Sequence, residues 1–274
     1  MRKFVVSDLH GNINIYNSIM NFLGNLNDLE EVELYINGDL IDRGKYSIYM
    51  LKDIKNRIEN NIGFKIHYLA GNHELMMYQA YLKKWSKFCR WFYNGGKNTL
   101  NEFNKLSNTE KESIIKFISN LKIFHKFEET MNNKPIVLVH AKCPKNLNLD
   151  LRLKDNNRII SKLLWTRRDD SIFLKNIGNK SYFTIIGHTP VLEKCGYEYY
   201  KRDNALNIDG GCSAYVCGSK NYNHVPLVEI DNEKLTIFTF NNSNSITMGS
   251  YFENGESVKM SSKTLDEYKK YLKK

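Results

Sequence analysis

The sequence predicts an α/β fold built from strand–helix crossover units, and three observations predict it. Short runs rich in Val, Ile, Leu and Tyr recur, each nearly continuous in hydrophobicity, as strands buried on both faces are. Stretches with helical spacing of apolar residues lie between them. Short polar motifs close most of the runs, and in open α/β sheets sites form beyond the carboxyl ends of strands.

In chain order the strand runs are Lys3–Ser7, Glu33–Asn37, Lys65–Ala70, Ile136–His140, Tyr182–Ile186 and Ala205–Ile208, broken by Gly, Asn or Asp. Helices are expected over Asn14–Leu23 and Ser47–Asn60; in the second, Ile48, Leu51, Ile54 and Ile58 keep one face apolar. Glu74–Phe127 reads as mostly helical. Glu74-Leu-Met-Met-Tyr78 runs straight out of a polar motif, and Asn108-Thr-Glu-Lys-Glu112 offers a helix start before Ile114, Ile115 and Ile118. Between them Trp91-Phe-Tyr-Asn94-Gly-Gly96 is expected to turn, with Trp85, Phe88, Trp91 and Phe92 in a helix core or groove wall. Leu227–Ile230 and Lys234–Phe240 read as paired strands around Asp231-Asn-Glu233, Ser245–Ser262 as a polar hairpin, and Thr264–Lys274 as a short basic helix. The expected division is a main domain over 1–244 with the hairpin and helix of 245–274 packed on it.

At 274 residues the chain can bury a substantial core, and 42% hydrophobic with 12% aromatic residues excludes wholesale disorder. Five cysteines without a CxxC pair suit a reduced, intracellular chain. Met1-Arg2-Lys3 leads directly into Phe4-Val5-Val6, too short a run for a signal-peptide core. No run approaches the ~20 apolar residues of a membrane span. A cytoplasmic protein without a membrane partner is expected. The net charge of +10 attracts anions, yet the lysines are dispersed, so nucleic acid is not favoured as the main partner. The signatures GxxxxGK(S/T), GxGxxG and GxSxG are missing, which argues against P-loop, dinucleotide-binding and serine-hydrolase chemistry. No pattern specifies an oligomeric state.

Six motifs carry the chemistry: Asp8-Leu-His10-Gly-Asn12, Gly38-Asp39-Leu-Ile-Asp42-Arg43-Gly44, Gly71-Asn72-His73-Glu74, His140-Ala141, Gly187-His188-Thr189-Pro190 and Asn207-Ile-Asp209-Gly-Gly211. Singly, Asp8 reads as a helix N-cap, and His140 or His188 as a core histidine. At successive strand ends they read as ligands of two metal ions. Asp8 and His10, two apart after a strand, can face one cation; the two carboxylate oxygens of Asp39 can bridge two; Asn72, His140 and His188 add neutral ligands. Paired cations in such sites stand ~3.5–4 Å apart and brace both sides of an in-line displacement. His73, next to the ligand Asn72, should point toward a leaving group as general acid, with Asp42 orienting its ring. Arg43 fits a phosphate clamp. In Leu164-Trp165-Thr166-Arg167-Arg168-Asp169-Asp170 the double Arg is either a second clamp, through Arg167, or a solvated loop. His67 is expected inside a strand and His125 and His224 at the surface.

These motifs closely resemble the phosphoprotein phosphatase family of calcineurin-like dimetal phosphoesterases, whose signatures are GDxHG, GDxVDRG and GNHE followed by two separate histidines. Here they stand as Ser7-Asp8-Leu9-His10-Gly11, Gly38-Asp39-Leu40-Ile41-Asp42-Arg43-Gly44 and Gly71-Asn72-His73-Glu74, with His140 and His188 after them. Trp91-Phe-Tyr-Asn-Gly-Gly96, Leu164-Trp165-Thr166-Arg167, Gly187-His188-Thr189-Pro190 and Asn207-Ile-Asp-Gly-Gly-Cys212 are similar to the bacterial and phage branch, which includes the phage lambda phosphatase and symmetrical diadenosine tetraphosphate hydrolases. The resemblance, from about Lys3 to Ile230, implies a two-sheet β-sandwich flanked by helices, with a helical insertion over about 74–127. It implies one metal on Asp8, His10 and Asp39 and a second on Asp39, Asn72, His140 and His188; two divalent ions are expected, Mn first, and the mixed nitrogen and oxygen donors also suit Fe, Zn, Co or Ni. A metal-bridging hydroxide would attack phosphorus directly, His73 with Asp42 would protonate the leaving group, and Arg43 and Arg167 would hold the phosphate. Two positions depart from the pattern. Ser7 replaces the first Gly, and His140-Ala141 is followed by Lys142-Cys143-Pro144, which puts a cation and a thiol near the metal face. The expected enzyme is a metal-dependent phosphatase acting on phosphoserine, phosphothreonine or phosphotyrosine of proteins. The alternative is a phosphoanhydride hydrolase of diadenosine polyphosphates or RNA 5′ ends.

Overall fold

In the computed structural model, the described residues are 1–82, 85–155, 158–167, 180–191, 199–202, 204–219, 224–232, 234–241, 245–252, 257–259 and 263–264. Two mixed sheets face each other. The first contains β1 (Arg2–Val6), β2 (Val32–Asn37), β3 (Lys65–Leu69), β9 (His224–Ile230), β10 (Lys234–Asn241), β11 (Ser245–Phe252) and β12 (Ser257–Lys259), in the order β12-β11-β10-β9-β1-β2-β3, with β13 (Lys263–Thr264) also on β11. The second runs β4-β5-β6-β8-β7, from β4 (Phe124–Met131), β5 (Lys134–Val139), β6 (Phe183–Ile186), β7 (Tyr200–Arg202) and β8 (Ala205–Asn207).

Alternation along the central strands sorts side chains between two apolar layers. Val5, Tyr35, Leu69, Val228 and Ile237 of the first sheet meet Phe127, Ile136, Leu138, Ile185 and Leu206 of the second. Their neighbours Phe4, Val6, Leu34, Ile36 and Phe238 face outward, under helix α1 (Ile13–Asn27), which adds Ile15, Ile19, Phe22 and Leu23. Asn12 caps α1, its side chain accepting from the Ile15 N–H at 3.3 Å. Helix α2 spans Ser47–Asn60, as its periodicity predicts. The insertion holds α3 (Asn72–Tyr81), α4 (Trp85–Trp91), a π-helical turn (Phe92–Gly96), α5 (Lys97–Asn104) and α6 (Asn108–Ser119). Helix α7 (Arg158–Trp165) and the short α8 (Cys212–Val216) complete the described α-helices, with a 3-10 turn at Leu153–Asp155 before α7.

Four expectations need correction. The helical reading of Glu74–Phe127 overruns: Phe124–Phe127 opens β4, because the inter-sheet layer accepts Phe127 in strand geometry. His125, expected at the surface, packs 4.7 Å from the ring of Tyr35 and 5.9 Å from that of His67. Trp91–Gly96 is a π-helical turn continuing a helix, with non-helical angles only at Asn94 and Gly95. The expected basic helix starts inside β13 at Thr264, and residues 265–274 lie outside the described residues. Among the described residues no helix is long and apolar enough to cross a membrane.

β1, β2 and β3 are mutually parallel, as are β5, β6 and β8. Their carboxyl ends deliver all six polar motifs to one rim of the sandwich.

Candidate metal and phosphate centre

The rim gathers a cluster of buried polar side chains. Asp8, His10, Asp39, Asn72, His73, His140, His188 and Asp209 are all 0–3% exposed. The loops carrying them are tight. Of the nine non-glycine residues with positive φ among the described residues, six are Asp8 (57°), His10 (46°), Asp39 (50°), Asp42 (73°), Arg43 (67°) and His188 (70°), and the other three are asparagines. Backbone held in this sparsely populated region concentrates at functional sites, where surrounding structure over-determines it.

Asp39 is the hub. One oxygen lies 3.7 Å from His10 Nε2 and 3.8 Å from His73 Nε2, the other 3.4 Å from His140 Nε2. His10, Asp39 and His73 form one group whose ligand atoms lie within 4.8 Å of one another; Asp39, His140 and His188 form a second. Asp8 Oδ1 stands 3.9 Å from His10 Nε2, and both its oxygens accept from the His188 N–H, at 3.1 and 3.2 Å. The side-chain oxygen of Asn72 lies 2.9 Å from His140 Nε2 and 2.7 Å from His188 Nδ1. Backbone carbonyls orient two rings: His10 Nδ1 donates to Ile41 O at 3.0 Å and His140 Nδ1 to Asn37 O at 2.9 Å, which turns each Nε2 inward.

Charges in this enclosed space strain against one another. Burial and the neighbouring Asp209 and Asp39 carboxylates push Asp8 well above the ordinary carboxylate range. Burial also raises Asp209 to about 6, against the pull of the Gly211 N–H and Arg43. Burial opposes ionisation of Asp39, yet His140, His73 and His10 hold it well below its usual value. His140 is raised to about 10 despite burial, chiefly by Asp39. Burial, with Arg43 and His73, pushes His10 well down; burial, with His140 and Arg167, does the same to His188. Three buried carboxylates facing inward-turned imidazoles call for concentrated positive charge, and mixed oxygen and nitrogen donors sharing one carboxylate fit a pair of divalent cations.

Beside the hub, His73 Nδ1 donates to Asp42 Oδ2 at 2.7 Å. Arg43 and Arg167 open, with His10, Asp39, His188, Asp209 and Tyr93, onto a cleft of about 490 Å3. Arg167 also reaches back, its Nη2 donating to His188 O at 3.2 Å. Arg168, Asp169 and Asp170 of the same segment lie outside the described residues. Lys142 and Cys143 do not line this cleft. The N–H groups of Ala141 and Lys142 both donate to Leu163 O, which ties the loop to α7 and buries Cys143 at 5% exposure. Among the described residues the thiol that lines the cleft is that of Cys217.

Sequence reasoning gave no part in the site to Asp209, Glu74 or Trp91, the last read only as helix core or groove wall, although each stands inside a quoted motif. Asp209 faces the same enclosed space as Asp8 and Asp39. Glu74, fully buried, accepts from the Asp39, Leu40 and Gly71 N–H groups and from Tyr68 Oη, at 2.7–3.1 Å. The repeated carboxylates in these motifs were the available signal for both.

A family model described as calcineurin-like phosphoesterase matches residues 1–218. No curated protein sequence matches the chain. Among solved structures, a cold-active protein-tyrosine phosphatase of a psychrophilic Shewanella species aligns with a TM-score of 0.50 at 15% identity, over 95% of this chain and 80% of that one. A protein serine/threonine phosphatase from Saccharomyces cerevisiae gives 0.56 at 14% identity, over 88% and 80%. A protein described as a diadenosine tetraphosphatase gives 0.50 at 13% identity, over 94% and 92%. At these identities the likeness is one of fold.

Proposed function

This chain belongs to the calcineurin-like phosphoesterase family, and we propose that it is a metal-dependent phosphatase hydrolysing phosphomonoesters on serine, threonine or tyrosine of proteins. One observation carries the proposal: Asp39 is shared by two buried His/Asp groups, with the His73–Asp42 pair alongside and two arginines at the open side. Asp8, His10 and Asp39 would hold one cation, and Asp39, Asn72, His140 and His188 the other. Bound divalent cations supply Lewis acidity and a water made nucleophilic at neutral pH. Manganese is the proposed metal, and Fe, Zn, Co or Ni suit the same donors.

The chain's own residues then do three things. Arg43 and Arg167 engage phosphate oxygens, since a guanidinium matches two of them at once. His73 donates a proton from Nε2 to the departing oxygen while Asp42 accepts from Nδ1 and fixes the orientation of the ring. The burial of the hub side chains, at 0–3% exposure, fixes their positions around the reacting group. Displacement by water is direct, with no covalent phosphoenzyme. The free cysteines Cys89, Cys143, Cys212 and Cys217 among the described residues support a reducing, cytoplasmic setting.

A second reading has its own observation. Tyr93, 83% exposed, stands on the cleft wall, where an aromatic face can stack on a nucleobase. This favours diadenosine polyphosphates or RNA 5′ ends cleaved by the same centre. The test is turnover of a phosphoserine peptide, a phosphotyrosine peptide and diadenosine tetraphosphate by metal-stripped, Mn-reloaded protein. The protein-phosphatase proposal expects a peptide to win by more than about tenfold in kcat/KM, and the reverse order would replace it with the second reading. In His73→Asn, kcat should fall by roughly 10²–10⁴ on the preferred substrate.

A further inference from the structure

Apart from Tyr93 on the cleft wall, the motif Trp91-Phe-Tyr-Asn94-Gly95-Gly96 has no role in the chemistry above, yet it grips Asp42 and Arg43, on which that chemistry draws. Trp91 is 3% exposed, and its indole N–H is aimed at the fully buried Asp42, 3.1 Å from Oδ1 and 2.9 Å from Oδ2. Asp42 Oδ2 is the oxygen that accepts from His73 Nδ1 at 2.7 Å. Four residues on, Gly95 O accepts from the Arg43 N–H at 2.8 Å, and Asn98 Nδ2 donates to Arg43 O at 2.8 Å. The chain from Trp91 to Asn98 therefore holds the Asp42 side chain and the Arg43 backbone together.

The local sequence is shaped to that task. Gly96 has ordinary helical angles, so backbone freedom does not explain it. Space does: a Cβ there would meet Trp91 Nε1 at 2.6 Å and drive the indole off the carboxylate. The π-helical turn sets the indole and the Gly95 carbonyl at this spacing, and such turns recur at functional sites.

We infer that Trp91 is a positioning residue of the proton-donating pair, fixing the plane of the Asp42 carboxylate so that His73 meets the leaving oxygen in one orientation. This rests on His73 acting as the proton donor. The χ2 torsion of an aspartate is broad and soft, so one hydrogen bond to an imidazole leaves the carboxylate free to swing. A second donor shared between both oxygens removes that freedom. Asp42 N–H donates to Ser47 Oγ at 2.9 Å, which fixes the backbone end of the same residue. A misaligned donor costs most where the departing oxygen is strongly basic and least where it leaves unaided.

The experiment measures kcat and KM of the Mn-loaded enzyme on phosphomonoesters whose leaving groups range from 2,4-dinitrophenol to a simple alkyl alcohol. Trp91→Phe keeps a buried aromatic ring, though a smaller one, and removes the donor. Its kcat should fall about tenfold or more on the alkyl ester and less than about threefold on the dinitrophenyl ester, with KM within about twofold and metal content unchanged. An equal loss across the series, or none, overturns the inference. Should Trp91→Phe fail to fold, Gly96→Ala keeps the indole and displaces it, and must show the same dependence on leaving group. A uniform series there also overturns it. His73→Asn separates the two levels: if its own loss is uniform across leaving groups, the role of His73 falls and the inference with it.

Discussion

Glu74 shows how one buried side chain organises a site it never enters. Its two oxygens take four donors, three of them backbone N–H groups from the loops after β2 and β3. Asp39 and Leu40, which donate two of these, belong to the loop that presents the shared carboxylate. Burial and the nearby Asp39 raise the Glu74 carboxyl, and the Tyr68 and backbone donors oppose that rise. In Glu74→Gln an amide NH2 replaces one acceptor and faces N–H groups. The expected cost is roughly 2–3 kcal/mol in denaturant unfolding, with hydrolytic activity falling as the Asp39 loop relaxes. Unchanged stability would show that these bonds are dispensable. Gly38 sets the same loop from the other side: at φ 79°, an added Cβ would meet Gly71 Cα at 2.4 Å, so the two loops touch backbone to backbone.

The strands that position the site were legible because each is a short apolar run ending in a polar cluster. Val32–Asn37 and Lys65–Leu69 lie within one residue of their sequence reading, and Ser47–Asn60 matches it. The clustering of the candidate ligands was legible for the same reason, since parallel strands deliver their carboxyl ends to one rim. What the sequence hid were pairings between segments far apart in the chain. Trp91 looks like a core aromatic until α4 is docked on the Asp42 loop, and nothing local in Phe124–Met131 distinguishes a strand from the end of a helical insertion. His125 is the consequence. In β4 it packs against Tyr35 and His67 between the sheets, and burial, with His67 and Lys122 adding repulsion, lowers it to about 4. His67 is lowered in the same direction, first by burial. A histidine near 6.5 in the unfolded chain and about 4 in the fold takes up its proton preferentially on unfolding, so stability is lost as pH falls from about 6.5 toward 4. Thermal melts should show this fall, and His125→Phe should flatten part of it. An identical pH slope in the variant would locate the acid sensitivity elsewhere.

At the scale of the molecule, two sheets each offer one parallel set of strand ends, and the site exists only where those sets meet. β1, β2 and β3 bring Asp8, His10, Asp39, Asn72 and His73; β5, β6 and β8 bring His140, His188 and Asp209. Asp39 bridges the halves, reaching His10 and His73 on one side and His140 on the other. Filling the centre with cations should therefore tie the sheets together as well as switch on hydrolysis, because whatever binds the folded state alone stabilises it. The most direct measurement loads chelator-stripped protein with Mn stepwise, following bound metal per chain, hydrolysis of a phosphomonoester and melting temperature on the same samples. The account predicts no turnover in the stripped protein, saturation at two ions per chain, and activity and melting temperature rising together until the second ion is bound. Full turnover without metal, or saturation at one ion with no loss in Asp39→Asn, would contradict it.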